Sequence, residues 1–91
     1  MEVVLSNYGE VIATDEKSQE IYDILKKSID EGQVIVIDAK DVTISTKSAR
    51  FIFGRLYKEL KGLFNEKISF KNNSSLFTFS VNEGILTEVN N

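Results

Sequence analysis

The sequence predicts an α/β fold of element order ββαβαβα, with a mixed sheet of about four strands and helices packed against it. Three observations lead there. Val34-Ile35-Val36-Ile37 is an unbroken β-branched run, the pattern of a strand covered on both faces. Apolar residues before and after it recur every three or four positions, as amphipathic helices require. Gly32 and Gly62 close those periodic stretches, where helices commonly stop. With 91 residues, the chain has room for one domain only, and residues 1–91 are read as such.

The elements follow in order. Glu2–Leu5 and Glu10–Ala13 are short β-branched runs separated by Ser6-Asn7-Tyr8-Gly9, which reads as a hairpin because Asn and Gly tolerate the backbone of tight turns. Thr14-Asp15-Glu16 then opens a helix, with a hydroxyl cap and two acids facing the positive end of its dipole. Ile21, Ile24, Leu25, Ser28 and Ile29 form its apolar face. After the strand at 34–37 comes a second helix, from about Thr46 to Lys61, with Ala49, Ile52, Phe53, Leu56 and Leu60 on one side. Gly54 inside it costs about 1 kcal/mol relative to Ala, which close approach of the helix to the sheet would offset. Lys67–Phe70 is a further strand. The tail carries both periods, since Phe77, Val81 and Ile85 repeat at four while 76–81 partly alternate. Alternation of strand and helix favours a helix, capped at Asn73 or Ser74, with Gly84 ending its first part. Two strand–helix–strand units imply parallel pairing with right-handed crossovers.

Composition excludes several chemistries. The chain has no Cys, hence no disulfide, thiolate nucleophile or thiolate metal site. It has no His, the usual general base near neutral pH and the commonest metal ligand. An enzyme would have only carboxylate or Lys chemistry left, so no catalysis, cofactor or metal is expected. Asp38 and Asp41 follow a strand, where two acids could hold Mg²⁺ or act as a nucleophile in phosphoryl transfer. No glycine-rich phosphate loop accompanies them, and turn capping is the preferred role. The amino terminus lacks a basic segment and a small-residue cleavage site, and no apolar run has the roughly 18 residues of a membrane span, so a cytoplasmic location is expected.

The net charge of −3 divides unevenly. Residues 1–45 hold ten acids and four Lys, while residues 46–91 hold seven bases and four acids. Lys47, Arg50, Arg55, Lys58 and Lys61 on the second helix, with Phe51 and Tyr57 nearby, raise an alternative reading as a small nucleic-acid-binding accessory protein. The acidic whole, with a pI near 4.9, opposes it, as does the fitness of Lys58 and Lys61 for any helix C-terminus.

The segment Val34–Leu60 carries the most chemistry: a strand ends, a short loop follows, and a helix starts under the hydroxyl run Ser45-Thr46-Lys47-Ser48. Ligands and partners of open α/β sheets favour the carboxyl ends of strands. Ile44-Ser45-Thr46-Lys47-Ser48-Ala49-Arg50-Phe51-Ile52-Phe53-Gly54 resembles the helix start of a divergent STAS-like family of poorly defined function, related to the STAS domains of bacterial anti-sigma factor antagonists. Ile44, Ser45, Ala49, Phe53 and Gly54 match that family's pattern, and Thr46 replaces a Ser. Ser45 stands where typical STAS domains have Asp, Ser48 where they have Gly, and Arg50 reverses an acid of the divergent family.

The resemblance implies a non-catalytic interaction module whose partner is a histidine-kinase-like ATPase or an anti-sigma-type regulator. By alignment, Thr46 matches the residue phosphorylated in the antagonists. A phosphate adds about −1.5 to −2 charge, which Lys47 or Arg50 would moderate. The expected docking surface is the loop Lys40–Ile44 with Ser45, Thr46, Lys47, Ser48, Arg50 and Phe51. The competing structural role for Ser45 or Thr46 is a helix N-cap. Phe51 lies off the apolar stripe, either as a partner anchor or packed under the last helix.

Overall fold

A computed structural model describes all 91 residues, Met1–Asn91. The strands are β1 (Glu2–Val4), β2 (Val11–Ile12), β3 (Ile35–Asp38), β4 (Thr43–Ile44) and β5 (Ile68–Lys71). Helix α1 is Asp15–Asp30. Helix α2, residues 46–60, is assembled from Thr46–Ala49, a wide π turn at Arg50–Gly54, and Arg55–Leu60. A 3₁₀ turn, Lys61–Leu63, leads into the single-turn α3 (Phe64–Lys67), and α4 (Ser75–Val89) ends the fold. Three principal helices thus pack with two small parallel sheets, one ordered β1-β3-β5 and the other β2-β4.

The expected hairpin does not form. Val3 of β1 lies beside Ile37 of β3, and Ile12 of β2 beside Ile44 of β4, each in parallel. Leu5–Tyr8 is a 3₁₀ turn rather than part of a hairpin through Ser6–Gly9, and it drives Leu5 fully into the core. A buried Leu at that point carries the chain past β1 and hands β2 to a different neighbour. The single mixed sheet of about four strands is therefore replaced by two all-parallel sheets, and Thr43–Ile44, expected as part of a loop, is a strand.

The strand at 34–37 is also covered on one face only. Ile35 and Ile37 are fully buried, Val36 is half-buried, and Val34 is exposed. Val3, Ile37 and Phe70 sit side by side across the three strands, as do Glu2, Val36 and Ser69 on the opposite face. On that second face Glu2, Val4, Val36, Asp38, Ser69 and Lys71 include no buried residue, and Lys71 pairs with Glu2. All 20 core side chains form one cluster. The β-branched run reflects strand propensity at its two outer-facing positions, not burial.

Helix α1 forms as its sequence directs. Thr14 Oγ1 accepts from the Lys17 N–H at 3.2 Å, Asp15 and Glu16 occupy the first turn, and Gly32 takes the left-handed φ of +85° just beyond the end. Ile21, Leu25, Ser28 and Ile29 are buried with Ser18 and Tyr22, whereas Ile24 is half-buried. In α2, Ala49, Ile52, Phe53 and Leu56 are fully buried, and Leu60 is half-buried. The helix stops at Leu60, one residue earlier than expected, because Lys61 itself takes a positive φ of 51°.

Gly54 is used differently from the expectation. A Cβ there would lie 2.9 Å from the Gly84 carbonyl oxygen and 2.9 Å from Glu88 Cβ, so the close approach is to α4, not to the sheet. Gly84 reciprocates, and a Cβ on it would lie 2.5 Å from the Arg50 backbone N. Helix α4 accordingly runs straight through Gly84 rather than ending there. Its cap is Ser74, whose Oγ accepts from the Phe77 N–H at 3.0 Å.

Candidate functional site

The hydroxyl tract crowns α2 at the end of β4, not at the end of the central strand β3. Its four members do different things. Ser45 has an extended backbone, and its Oγ accepts from the Ser48 N–H at 3.0 Å, so Ser45 is the N-cap. Thr46, the first helical residue, is exposed and its hydroxyl makes no hydrogen bond within the chain. Lys47 is exposed, with Asp15 of α1 3.5 Å from its Nζ. Ser48 is 2% exposed, buried among the core residues, and drops out of the expected partner surface. Residue 48 is the third residue of the helix, where the direction of winding turns the side chain inward beside Ala49 and Ile52.

Arg50 and Phe51 complete the segment. Arg50 Nε donates to Glu88 Oε1 of α4 at 2.8 Å, and Lys58 Nζ lies 3.8 Å from the other oxygen. The hydrogen bond from Arg50 holds the Glu88 carboxyl below the usual carboxylate range, against some opposing desolvation. Phe51 is half-buried, edge-on to Tyr22 of α1 with ring centroids 6.5 Å apart. It therefore packs on the first helix, neither fully free nor under the last one. The Arg55 guanidinium caps both rings, 4.0 Å from the Tyr22 centroid and 4.8 Å from that of Phe51. Arg55 makes no ion pair, unlike Lys47, Arg50 and Lys58. Lys47, Arg50, Phe51, Arg55 and Glu88 border a hollow of about 380 Å³.

The loop leaving β3 forms a second feature, a polar cleft of about 720 Å³ lined by Lys40, Asp41, Val42, Thr43, Asn73 and Ser74 among others. It lies at the carboxyl ends of β3 and β5, as open parallel sheets favour. Asp38 is a turn residue in the geometry. Its carboxylate accepts from Asn72 Nδ2 at 3.1 Å and from the Lys40 N–H at 3.0 Å, and those bonds lower its pKa, the Asn72 bond most. Asp41 takes a left-handed φ of 58°, which Asp tolerates better than most residues. Nowhere do three or more His, Cys, Asp or Glu side chains come together as a metal site, and no helix is long and apolar enough to cross a membrane.

Two partners were invisible to sequence reasoning. Glu88 is 38 residues from Arg50, and Tyr22 is 33 residues from Arg55, so only the fold joins them. The expected basic face is largely spoken for, because Glu88 serves Arg50 and Lys58, and aromatic rings occupy Arg55. No protein-family model matches the chain, and neither a curated protein nor a solved structure matches it.

Two expected outcomes follow from this geometry. Ser45→Ala removes the α2 cap and lowers stability by about 1 kcal/mol, read as a shift in the urea midpoint without change of slope. An unchanged midpoint would place the cap elsewhere. The second concerns Tyr22, whose pKa is pushed up to about 12, by burial first and then by Glu59, which accepts a hydrogen bond from its hydroxyl; Arg55 pulls the other way. The folded chain thus holds that proton more tightly than an unfolded one, in which tyrosine ionises near 10.0. Its contribution to stability is complete below pH 10 and is lost as pH rises toward 12. Tyrosinate absorbance should show a late component that Tyr22→Phe removes. A single transition of all three tyrosines near 10.0 would contradict it.

Proposed function

We propose that this chain is a non-catalytic, STAS-like interaction module of the bacterial cytoplasm, switched by phosphorylation at Thr46. Its docking surface is the loop Lys40–Ile44 with Ser45, Thr46, Lys47, Arg50 and Phe51. The partner is a protein, either a histidine-kinase-like ATPase or an anti-sigma-type regulator, and it supplies any catalysis.

One observation carries this reading: capping and display are divided between adjacent hydroxyls. Ser45 closes the helix, which leaves the exposed Thr46 hydroxyl with no structural duty. A group free of structural duty can be modified without unfolding its helix. A phosphate at the first helical position also sits at the positive end of the helix dipole, where negative charge is tolerated. The exposed Lys47 offers a counter-charge beside it. On a partner surface shaped for a neutral hydroxyl, the added charge acts as repulsion and desolvation cost.

The test is photo-crosslinking in living cells from a reactive residue placed at Lys47, with the same residue at the exposed Glu31 as control. The expected product is one dominant ATPase or regulator from position 47 and none from position 31. Equal background from both positions would remove the proposed surface.

A further inference from the structure

We infer that the hollow around Arg55 on α2 is a receptor for one carboxylate, an Asp or Glu side chain of a partner protein with an apolar residue beside it. The receptor belongs to the surface proposed above, since Lys47, Arg50 and Phe51 border the same hollow. Which protein arrives there rests on that reading.

Arg55 is the group whose bonding is incomplete. Its guanidinium is half-buried and stands 4.0 Å from the Tyr22 ring centroid and 4.8 Å from that of Phe51. Aromatic faces attract a cation and fix its place, but they offer its N–H donors no oxygen. The Tyr22 hydroxyl does interact with Arg55. That hydroxyl already donates to Glu59, and one oxygen cannot satisfy the whole fork. The two neighbouring acids are engaged elsewhere. Glu88 holds Arg50 and Lys58 with its two oxygens, and Glu59 holds the Tyr22 hydroxyl and Lys26. A guanidinium positioned in advance, partly desolvated and with donors unspent, is matched by a carboxylate, which takes two parallel N–H bonds.

The surroundings select a single acid on a protein. Three bases, Lys47, Arg50 and Arg55, line the hollow of about 380 Å³ against one acid, Glu88. The Lys47–Asp15 pair does not cancel that surplus, because the two side chains are 78% and 73% exposed and such pairs hold weakly. Beyond Phe51 the sign reverses, with Asp15, Glu16, Glu20 and Asp23 exposed along α1. A phosphate backbone crossing α2 would run onto those acids, whereas one side-chain carboxylate stops at the bases. Phe51 gives the residue next to that carboxylate a half-buried ring to pack on. An arginine set among aromatic side chains has the composition of a binding hot spot.

The probe is a displayed library of random eight-residue peptides, selected against the full chain and, in parallel, against Arg55→Gln. We expect wild-type selection to enrich peptides sharing an Asp or Glu beside an apolar residue. Titrating one such peptide should shift the Arg55 Nε–H and Phe51 amide signals. Changing its acid to the amide, or Arg55→Gln, should weaken binding about tenfold or more. Arg55→Lys keeps the charge over the rings without the fork and should also bind more weakly. Lys27→Gln removes an exposed charge from α1 and should change nothing. Thermal melts of each variant confirm the fold. The receptor is refuted if selection recovers no shared acid, if recovered peptides bind Arg55→Gln as well as wild type, or if the shifts fall elsewhere. A twelve-nucleotide RNA that shifts the Arg55 signal more strongly than the peptides would refute it too. No cellular partner enters this titration, so its failure would leave the crosslink from position 47 to be judged separately.

Discussion

Gly84→Ala is expected to destabilise the fold by about 2–3 kcal/mol. Placed on α4 alone, the substitution should help, because Ala is favoured over Gly in helices by up to about 1 kcal/mol. The fold reverses that sign. The new Cβ would stand 2.5 Å from the Arg50 backbone N and 2.7 Å from the Ala49 backbone carbon. Backbone cannot rotate aside as a side-chain end can, so α4 must move off α2, with an overpacking cost of about 1–3 kcal/mol or more and disturbance of the Arg50–Glu88 bond. For a domain of this size the loss corresponds to a fall in Tm of roughly 10–20 °C. Gly62→Ala is the control, since nothing lies within 4 Å of its added Cβ; its effect should stay within about 0.5 kcal/mol. If Gly84→Ala matched the control, α2 and α4 would not be in backbone contact.

The second large effect is functional. Thr46→Glu should lower affinity for the partner about 100-fold, about 2.7 kcal/mol, with thermal stability unchanged within about 0.5 kcal/mol. Both halves derive from the position of Thr46. Its side chain is exposed and its hydroxyl makes no hydrogen bond, so the fold does not use that hydroxyl, and a carboxylate at a helix start is electrostatically tolerated. Against a neutral contact surface, the same carboxylate is an unpaired, partly desolvated charge. Thr46→Ser keeps the hydroxyl and should bind as wild type. Titration calorimetry with the crosslinked partner, paired with thermal melts, separates the effects. Loss of binding accompanied by loss of stability would indicate a damaged helix rather than a switch.

Local elements were legible wherever their signals were local. Thr14, the acids behind it and Gly32 define α1 within one continuous stretch, and the structure uses each as expected. The same holds for the start of α2 under Ser45 and for a helix at the tail. Pairing was not legible. Whether Val3 sits opposite Val11 or beside Ile37 is decided by the burial of Leu5 and by loop closure, neither of which has a sequence period. The β-branched run at 34–37 misled for a related reason, since Val and Ile serve a half-covered strand as well as a doubly covered one.

Within the candidate site, residue types identified the tract but not the division of labour inside it. Ser45 and Thr46 are equally good caps on paper, and only the extended backbone of Ser45 assigns the role. Ser48 reads as one more hydroxyl until the helix turns it inward.

The most direct test of the switch is to incubate the purified chain with its crosslinked partner and Mg-ATP, then locate phosphate by peptide mass spectrometry while following the complex by gel filtration. The expected result is a single phosphate on Thr46 and release of the partner, both abolished by Thr46→Ala. Phosphate on another residue, or a complex that persists once Thr46 is modified, would contradict it.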